Sequence, residues 1–260
     1  PMPFDADAAA TTIHSCWEGG SKLHVLPDKQ QPESLAAGYA VQAAMARGRP
    51  VAGWKIAATS AAGQQHIGVS APLAGRIFAD RLVRDDATVS MRNNGMAAAE
   101  CEFVFMLGKS LQPRAVPYTR EEVMDAVASL HPGLELPDSR FTDFSAAGAP
   151  SLVADNACAH WMVLGEPTSA SWRDADLAAH ATQLLIDDKT ATSGHGRDAL
   201  GDPRDALCWL VNAQMDAGIV LEAGQFVTTG VTGAPTPVAA GQRITSDLGT
   251  FGQVTVSLTA

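Results

Sequence analysis

The chain has 260 residues, and 18 Lys+Arg against 28 Asp+Glu give a net charge of −10. An acidic surface is a poor counter-charge for phosphate backbones, which argues against nucleic-acid binding. No apolar run approaches the roughly 18 residues that span a bilayer, and 46% hydrophobic residues supply a sizeable core, which excludes disorder.

Pro1 to Ala10 shows no basic segment followed by an apolar one, so no leader is expected. Cys16, Cys101, Cys158 and Cys208 are far apart and form no C-x-x-C. That spacing suits reduced thiols and a cytoplasmic protein. The first thirty residues show no clear period. A helix is predicted from Pro32 to Arg47, where Leu35, Tyr39 and Ala43 recur at i, i+4 and i+8 before Gly48 and Pro50. A strand is predicted from Gly95 to Gly108. A second helix starts at Thr119, which forms a capping box with Glu122, and carries Val123, Val127 and Leu130 to a stop at Pro132-Gly133. Leu152-Val153 and Trp161 to Leu164 read as short strands. Leu184 to Ile186 runs into a hairpin turn at Asp187-Asp188-Lys189. A third helix starts at Asp202 with Pro203 in its first turn and Leu207, Leu210 and Val211 on one face. The remainder alternates strands and glycine turns: Phe226 to Thr229, Gly241 to Ile244, and Val254 to Leu258. The pattern is α+β, with antiparallel or mixed strands in the second half. It lacks the β-α-β alternation and G-x-G-x-x-G of a dinucleotide fold.

Glu100 and Glu102 are the only charged residues between Gly95 and Gly108. At i and i+2 on a strand they share a face. Two carboxylates on an apolar strand repel and are costly to bury. A hard divalent cation removes both problems; the plainer alternative is a solvated edge strand. Glu135, between Leu134 and Leu136, could be a third ligand or an ordinary loop glutamate. Lys55 is the single charge in Gly53-Trp54-Lys55-Ile56-Ala57. It reads as a partly desolvated base, as an anchor for a substrate carboxylate, or as a lysine snorkelling from a strand end.

Gly53 to Pro72 (GWKIAATSAAGQQHIGVSAP) resembles the lysine segment of the 2-keto-4-pentenoate hydratase / 4-oxalocrotonate decarboxylase family, within the fumarylacetoacetate hydrolase superfamily. The resemblance continues through AECEFVFMLG (Ala99 to Gly108), GLELPDSR (Gly133 to Arg140), VADNA (Val153 to Ala157), LGDPRDALCWLVN (Leu200 to Asn212) and LEAGQFVTTG (Leu221 to Gly230). It implies a mixed β-roll with flanking helices, an N-terminal helical arm over residues 1–50 and a catalytic unit over 51–260. It implies Mg²⁺ or Mn²⁺ held by Glu100, Glu102 and Glu135, with Lys55 as the active-site lysine. Thr229 and Gly230 match the turn beside the substrate pocket, and the resemblance also implies a homo-oligomer.

Two positions depart from the family. Leu73 follows Pro72 where many of its hydratases carry an acid, and Arg76 three residues on is a candidate carboxylate binder, its alternative being a surface pair with Asp80 or Asp85. Cys158 replaces a small hydroxylic residue beside the pocket. The expected reaction is hydration of a small 2-hydroxy-2,4-dienoate. The alternatives are decarboxylation of a 2-oxo-3-hexenedioate, hydrolysis of an acylpyruvate, and a lapsed binding subunit, which an intact E-x-E…E with Lys55 argues against.

Overall fold

A computed structural model describes residues 3–260. Pro1 and Met2, which begin the expected arm and the segment read as lacking a leader, lie outside the described residues. The chain opens with α1 (Ala6–Gly19) and α2 (Leu35–Met45), then β1 (Val51–Ala57), α3 (Ala61–Ile67), β2 (Leu73–Phe78), β3 (Leu82–Arg84), β4 (Ala87–Ser90) and β5 (Ala98–Leu107). There follow α4 (Arg120–Ala126), β6 (Val127–Leu136), α5 (Ala149–Ala154), β7 (Trp161–Leu164), β8 (Ala181–Ile186) and β9 (Lys189–His195). Last come α6 (Pro203–Asp216), β10 (Phe226–Thr228), β11 (Thr232–Pro237), β12 (Arg243–Asp247) and β13 (Gln253–Thr259).

The strands form two curled sheets. The larger runs β2-β1-β10-β5-β6-β7-β3, with β11 also paired to β5; the smaller runs β4-β13-β12-β8-β9. Pairing is mixed: β1 is parallel to β10 and antiparallel to β2, and β5 is antiparallel to β10 and β6. Phe103, Phe105, Leu134 and Leu136 of the larger sheet pack with Ile244, Val254 and Val256 of the smaller one. This is the expected α+β roll, and alternation decides it: the other face of β5 and β6 carries the glutamates. Among the described residues no helix is long and apolar enough to cross a membrane.

The opening segment, which shows no clear period, is helical, and two expectations are corrected. Residues 6–19 are helical: Asp5 caps α1 by accepting from Ala8 N, and Ala9, Ala10, Ile13 and Trp17 bury its inner face against α2, Phe78 and Phe141. The helix after Thr119 keeps its capping box but ends at Ala126, and Val127 and Leu130 belong to β6. That strand runs through Pro132-Gly133, because pairing with β7 begins only at Gly133 and Pro132 has no second ladder in which to miss a donor. Leu152 and Val153 lie on α5 rather than a strand.

Candidate functional site

One face of the larger sheet gathers the expected chemistry. Glu100 and Glu102 project from β5, and Glu135 on β6 lies directly across from Glu100 in the ladder, which puts all three on one face. One oxygen from each lies within 4.8 Å of the others. β5 is a central strand, and Glu102 and Glu135 are fully buried, so the solvated-edge and loop alternatives do not apply.

Glu102 Oε2 accepts from Gly230 N at 2.9 Å and from the Thr228 hydroxyl. Glu102 Oε1 and both oxygens of Glu135 are buried and accept no hydrogen bond. Burial, and then the charge of Glu135, pushes the Glu100 carboxyl up to about 7. Burial, and then Glu135 and Glu100, holds Glu102 well above the usual carboxylate range. Buried unpaired carboxylate oxygens this close are expensive unless a cation or protons neutralise them. An all-oxygen anionic set with three oxygens that accept no hydrogen bond suits a hard divalent ion.

Lys55 comes from β1, in register with Thr228 of β10, and is buried. Its ammonium lies 3.1 Å from Glu135 Oε1 as a charge contact and donates to the Ala157 carbonyl at 2.9 Å. Burial opposes its charge, but the fields of Glu135 and Glu100 outweigh it and hold the lysine protonated above its ordinary value. Gly75 faces Lys55 across the ladder, and a Cβ there would fall 2.9 Å from Lys55 Cγ and 2.4 Å from the Asn156 carbonyl. Asn156, Ala157 and Cys158 all take left-handed φ (58°, 51° and 62°). This costly backbone turns the Ala157 carbonyl to the lysine, and the Asn156 side chain anchors it by bonding both N and O of Arg76.

A cavity of about 500 Å³ opens over this face, lined by Lys55, Glu100 and Cys158 among the expected residues. Burial pushes the Cys158 thiol up to about 12, so it stands there as a neutral S–H. Thr229 and Gly230 do not line it. The Thr229 hydroxyl donates to the Phe103 carbonyl at 2.7 Å, and Gly230 supports Glu102. Gly230 has φ +106°, and a Cβ there would come within 2.4 Å of Thr59 Oγ1.

Arg76 is the clearest correction. It pairs with Trp54 across β1 and β2, on the sheet face opposite Lys55 and Gly75. Its guanidinium lies 4.9 Å from the Trp54 ring centroid and donates to Gln42 Oε1 at 2.7 Å. It is absent from the cavity wall, and its surface alternative fails too, since Asp80 pairs with Arg49 and Asp85 accepts from Thr255 N. Leu73 does line the cavity, so the departure there alters the pocket. His66 of α3 is exposed but stands at the cavity wall, edge-on to Phe144. Thr228 and the Ala157 carbonyl were missed. Thr228 was findable as the residue two before Gly230 on the strand facing Glu102, whereas a carbonyl contact leaves no sequence signal.

Residues 56–259 match the fumarylacetoacetate (FAA) hydrolase C-terminal family. The chain is 32% identical to 2-keto-4-pentenoate hydratase 2 of Dechloromonas aromatica (strain RCB), over 95% of each chain. It is 34% identical to 2-hydroxyhexa-2,4-dienoate hydratase of Comamonas testosteroni, over 82% of this chain and 80% of that one. Its fold superposes with a TM-score of 0.86, at 25% identity over 97% of both chains, on 4-oxalocrotonate decarboxylase from Pseudomonas putida G7 complexed with magnesium and adipate. Family model, full-length relatives and fold agree: the chain belongs to the fumarylacetoacetate hydrolase family.

Proposed function

We propose that the chain is a divalent-metal-dependent hydro-lyase that converts a 2-hydroxy-2,4-dienoate and water into a 4-hydroxy-2-oxo acid. The observation that carries this reading is the trio Glu100, Glu102 and Glu135, with buried oxygens that accept no hydrogen bond, beside a protonated Lys55 in a cavity wall. The hydratases among its relatives support the same reaction.

In this proposal the three glutamates hold one Mg²⁺ or Mn²⁺, with Thr228 and Gly230 fixing the orientation of Glu102. When bound, the cation supplies Lewis-acid polarisation for a 2-oxo or 2-enolate acid. Lys55 faces the substrate and donates a hydrogen bond to its carboxylate or C2 oxygen, and the Ala157 carbonyl and Glu135 hold the ammonium for that task. The apolar wall, Leu73 included, limits water near the reacting carbons. Ketonisation removes the enol proton and places a proton on C5, leaving a C3=C4 double bond conjugated to the 2-oxo group. Water then adds, with hydroxide to C4 and a proton to C3, and no redox change occurs.

The likeness to a decarboxylase favours a second reading, loss of CO₂ from a dicarboxylate through the same enolate stabilisation. The deciding experiment incubates 2-hydroxypenta-2,4-dienoate with the Mg²⁺-loaded protein, identifies the product by NMR in H₂¹⁸O, and measures CO₂ release from 2-oxo-3-hexenedioate in parallel. The hydratase reading expects a 4-hydroxy-2-oxo acid labelled at the 4-oxygen. CO₂ release with no hydration would replace it by the second reading.

A further inference from the structure

The two readings differ in what lies at the far end of the substrate, and the cavity has a definite chemistry there. From Glu100, the next side chain on the same face of β5 is Ala98, about 7 Å further along the strand, and Met96 stands in the wall beyond it. On β1 the same step leads from Lys55 to Ala57, which pairs with Leu73 across the ladder. Ile67 of α3, Phe144 and Leu152 close the outer wall. Among the described residues Lys55 is the only lysine or arginine that lines the cavity, and it is already engaged by Glu135 at the carboxylate end. The polar side chains of the outer wall are Thr59, Ser60 and His66, of which the Ser60 hydroxyl caps α3 by accepting from Gly63 N. Arg76, the one cation that the sequence offered for a second carboxylate, lies behind the sheet.

A volume of about 500 Å³ falls within the range that encloses drug-sized ligands, more than a five-carbon acid fills. We infer that this site selects 2-oxo and 2-hydroxydienoic acids whose tail beyond C4 is an uncharged hydrocarbon of several carbons, and rejects the same chain ending in a second carboxylate. The inference rests on the proposed placement of the acid head at Glu100, Glu102, Glu135 and Lys55. A buried methylene is favoured over a solvated one by about three- to fourfold in affinity. A carboxylate among Met96, Leu73 and Phe144 would give up hydration with neither lysine nor arginine beside it to pair with.

Binding tests this separately from turnover. Calorimetry on the Mg²⁺-loaded protein compares pyruvate, 2-oxohexanoate and 2-oxoadipate. The expected order has 2-oxohexanoate binding roughly thirty- to sixtyfold tighter than pyruvate, from three added carbons, and at least tenfold tighter than 2-oxoadipate, which has the same chain length. Ala62→Arg, at an exposed position of α3 that lines the cavity, should improve 2-oxoadipate relative to 2-oxohexanoate by at least tenfold, and His66→Ala should leave the ratio as it is. Equal affinity of the native protein for the two six-carbon acids, a ratio unmoved in Ala62→Arg, or a ratio set by His66 would each overturn the inference. A native protein that binds the three acids in the expected order yet hydrates no dienol would instead count against the proposed reaction and leave the tail selectivity standing.

Discussion

Thr228→Val removes one hydroxyl and nothing else of consequence in volume. Thr228 is fully buried, and its hydroxyl is one of two donors to Glu102 Oε2, the other being Gly230 N at 2.9 Å. The Thr228 hydrogen bond favours the ionised form of Glu102, against burial and the charges of Glu135 and Glu100. Without it Glu102 keeps protons to higher pH and is free to rotate, and both effects oppose metal binding. A hydrogen bond to a charged group contributes about 1.5–3 kcal/mol, which at about 1.4 kcal/mol per decade is roughly ten- to hundredfold in affinity. Loss of an outer partner of a metal ligand typically has the same size. The expected result is a ten- to hundredfold weaker Mn²⁺ dissociation constant by calorimetry at pH 7.5, with kcat largely recovered at saturating metal. Thr228→Ser should stay within about threefold of the native protein. An unchanged dissociation constant in Thr228→Val would show that Glu102 is not a ligand positioned by this strand.

Three further outcomes follow from the same geometry. Lys55→Met should lower kcat/KM for a dienol by at least about 100-fold, the low end for losing one donor to a developing oxyanion; a loss under threefold would make the lysine structural. Metal-free protein should lose stability as pH rises from about 4.5 to 7, because Glu100 binds its proton more tightly folded than unfolded, so the unfolded state binds fewer protons across that window. Thermal melts should show this fall reduced in Glu100→Gln and cancelled by added Mg²⁺, and a native melting temperature that falls no more than that of Glu100→Gln would contradict the raised proton affinity assigned to Glu100. Arg76→Met should leave the relative affinity for 2-oxohexanoate and 2-oxoadipate within twofold, since the guanidinium sits on the far face of the sheet; a larger change would put Arg76 in contact with the ligand.

The parts of the site that sequence conveyed are those with a period. Glu100 and Glu102 sit two apart in an apolar run, and strand alternation alone places them on one face. Alternation also separates Leu73 from Arg76, an odd number of residues apart on β2, and applied there it would have sent Arg76 behind the sheet while keeping Leu73 in the pocket. Glu135 was legible only through its motif, because its strand is buried on both faces and shows no alternation. Val127 and Leu130 are buried on either side of the exposed Ala128 and half-buried Ser129, and their spacing of three passes as the continuation of a helical stripe. The first helix was hidden by its alanines: Ala9 and Ala10 bury a face without a strong hydrophobic contrast, and only Ile13 and Trp17 mark it. The strained carbonyl at Ala157 and the hydroxyl of Thr228 act through contacts made by distant segments, and no local pattern announces them.

The central claim is that three glutamates on two neighbouring strands bind one divalent ion that the activity requires. Electron paramagnetic resonance of Mn²⁺ titrated into the native protein and into Glu102→Gln measures it most directly, with folding of both checked by circular dichroism. The expected result is one bound Mn²⁺ per native chain, displaced by Mg²⁺, and a folded Glu102→Gln protein whose affinity falls at least a hundredfold together with loss of dienol turnover. A Glu102→Gln protein that binds Mn²⁺ as tightly as the native one, or a native protein with full turnover in EDTA, would contradict it.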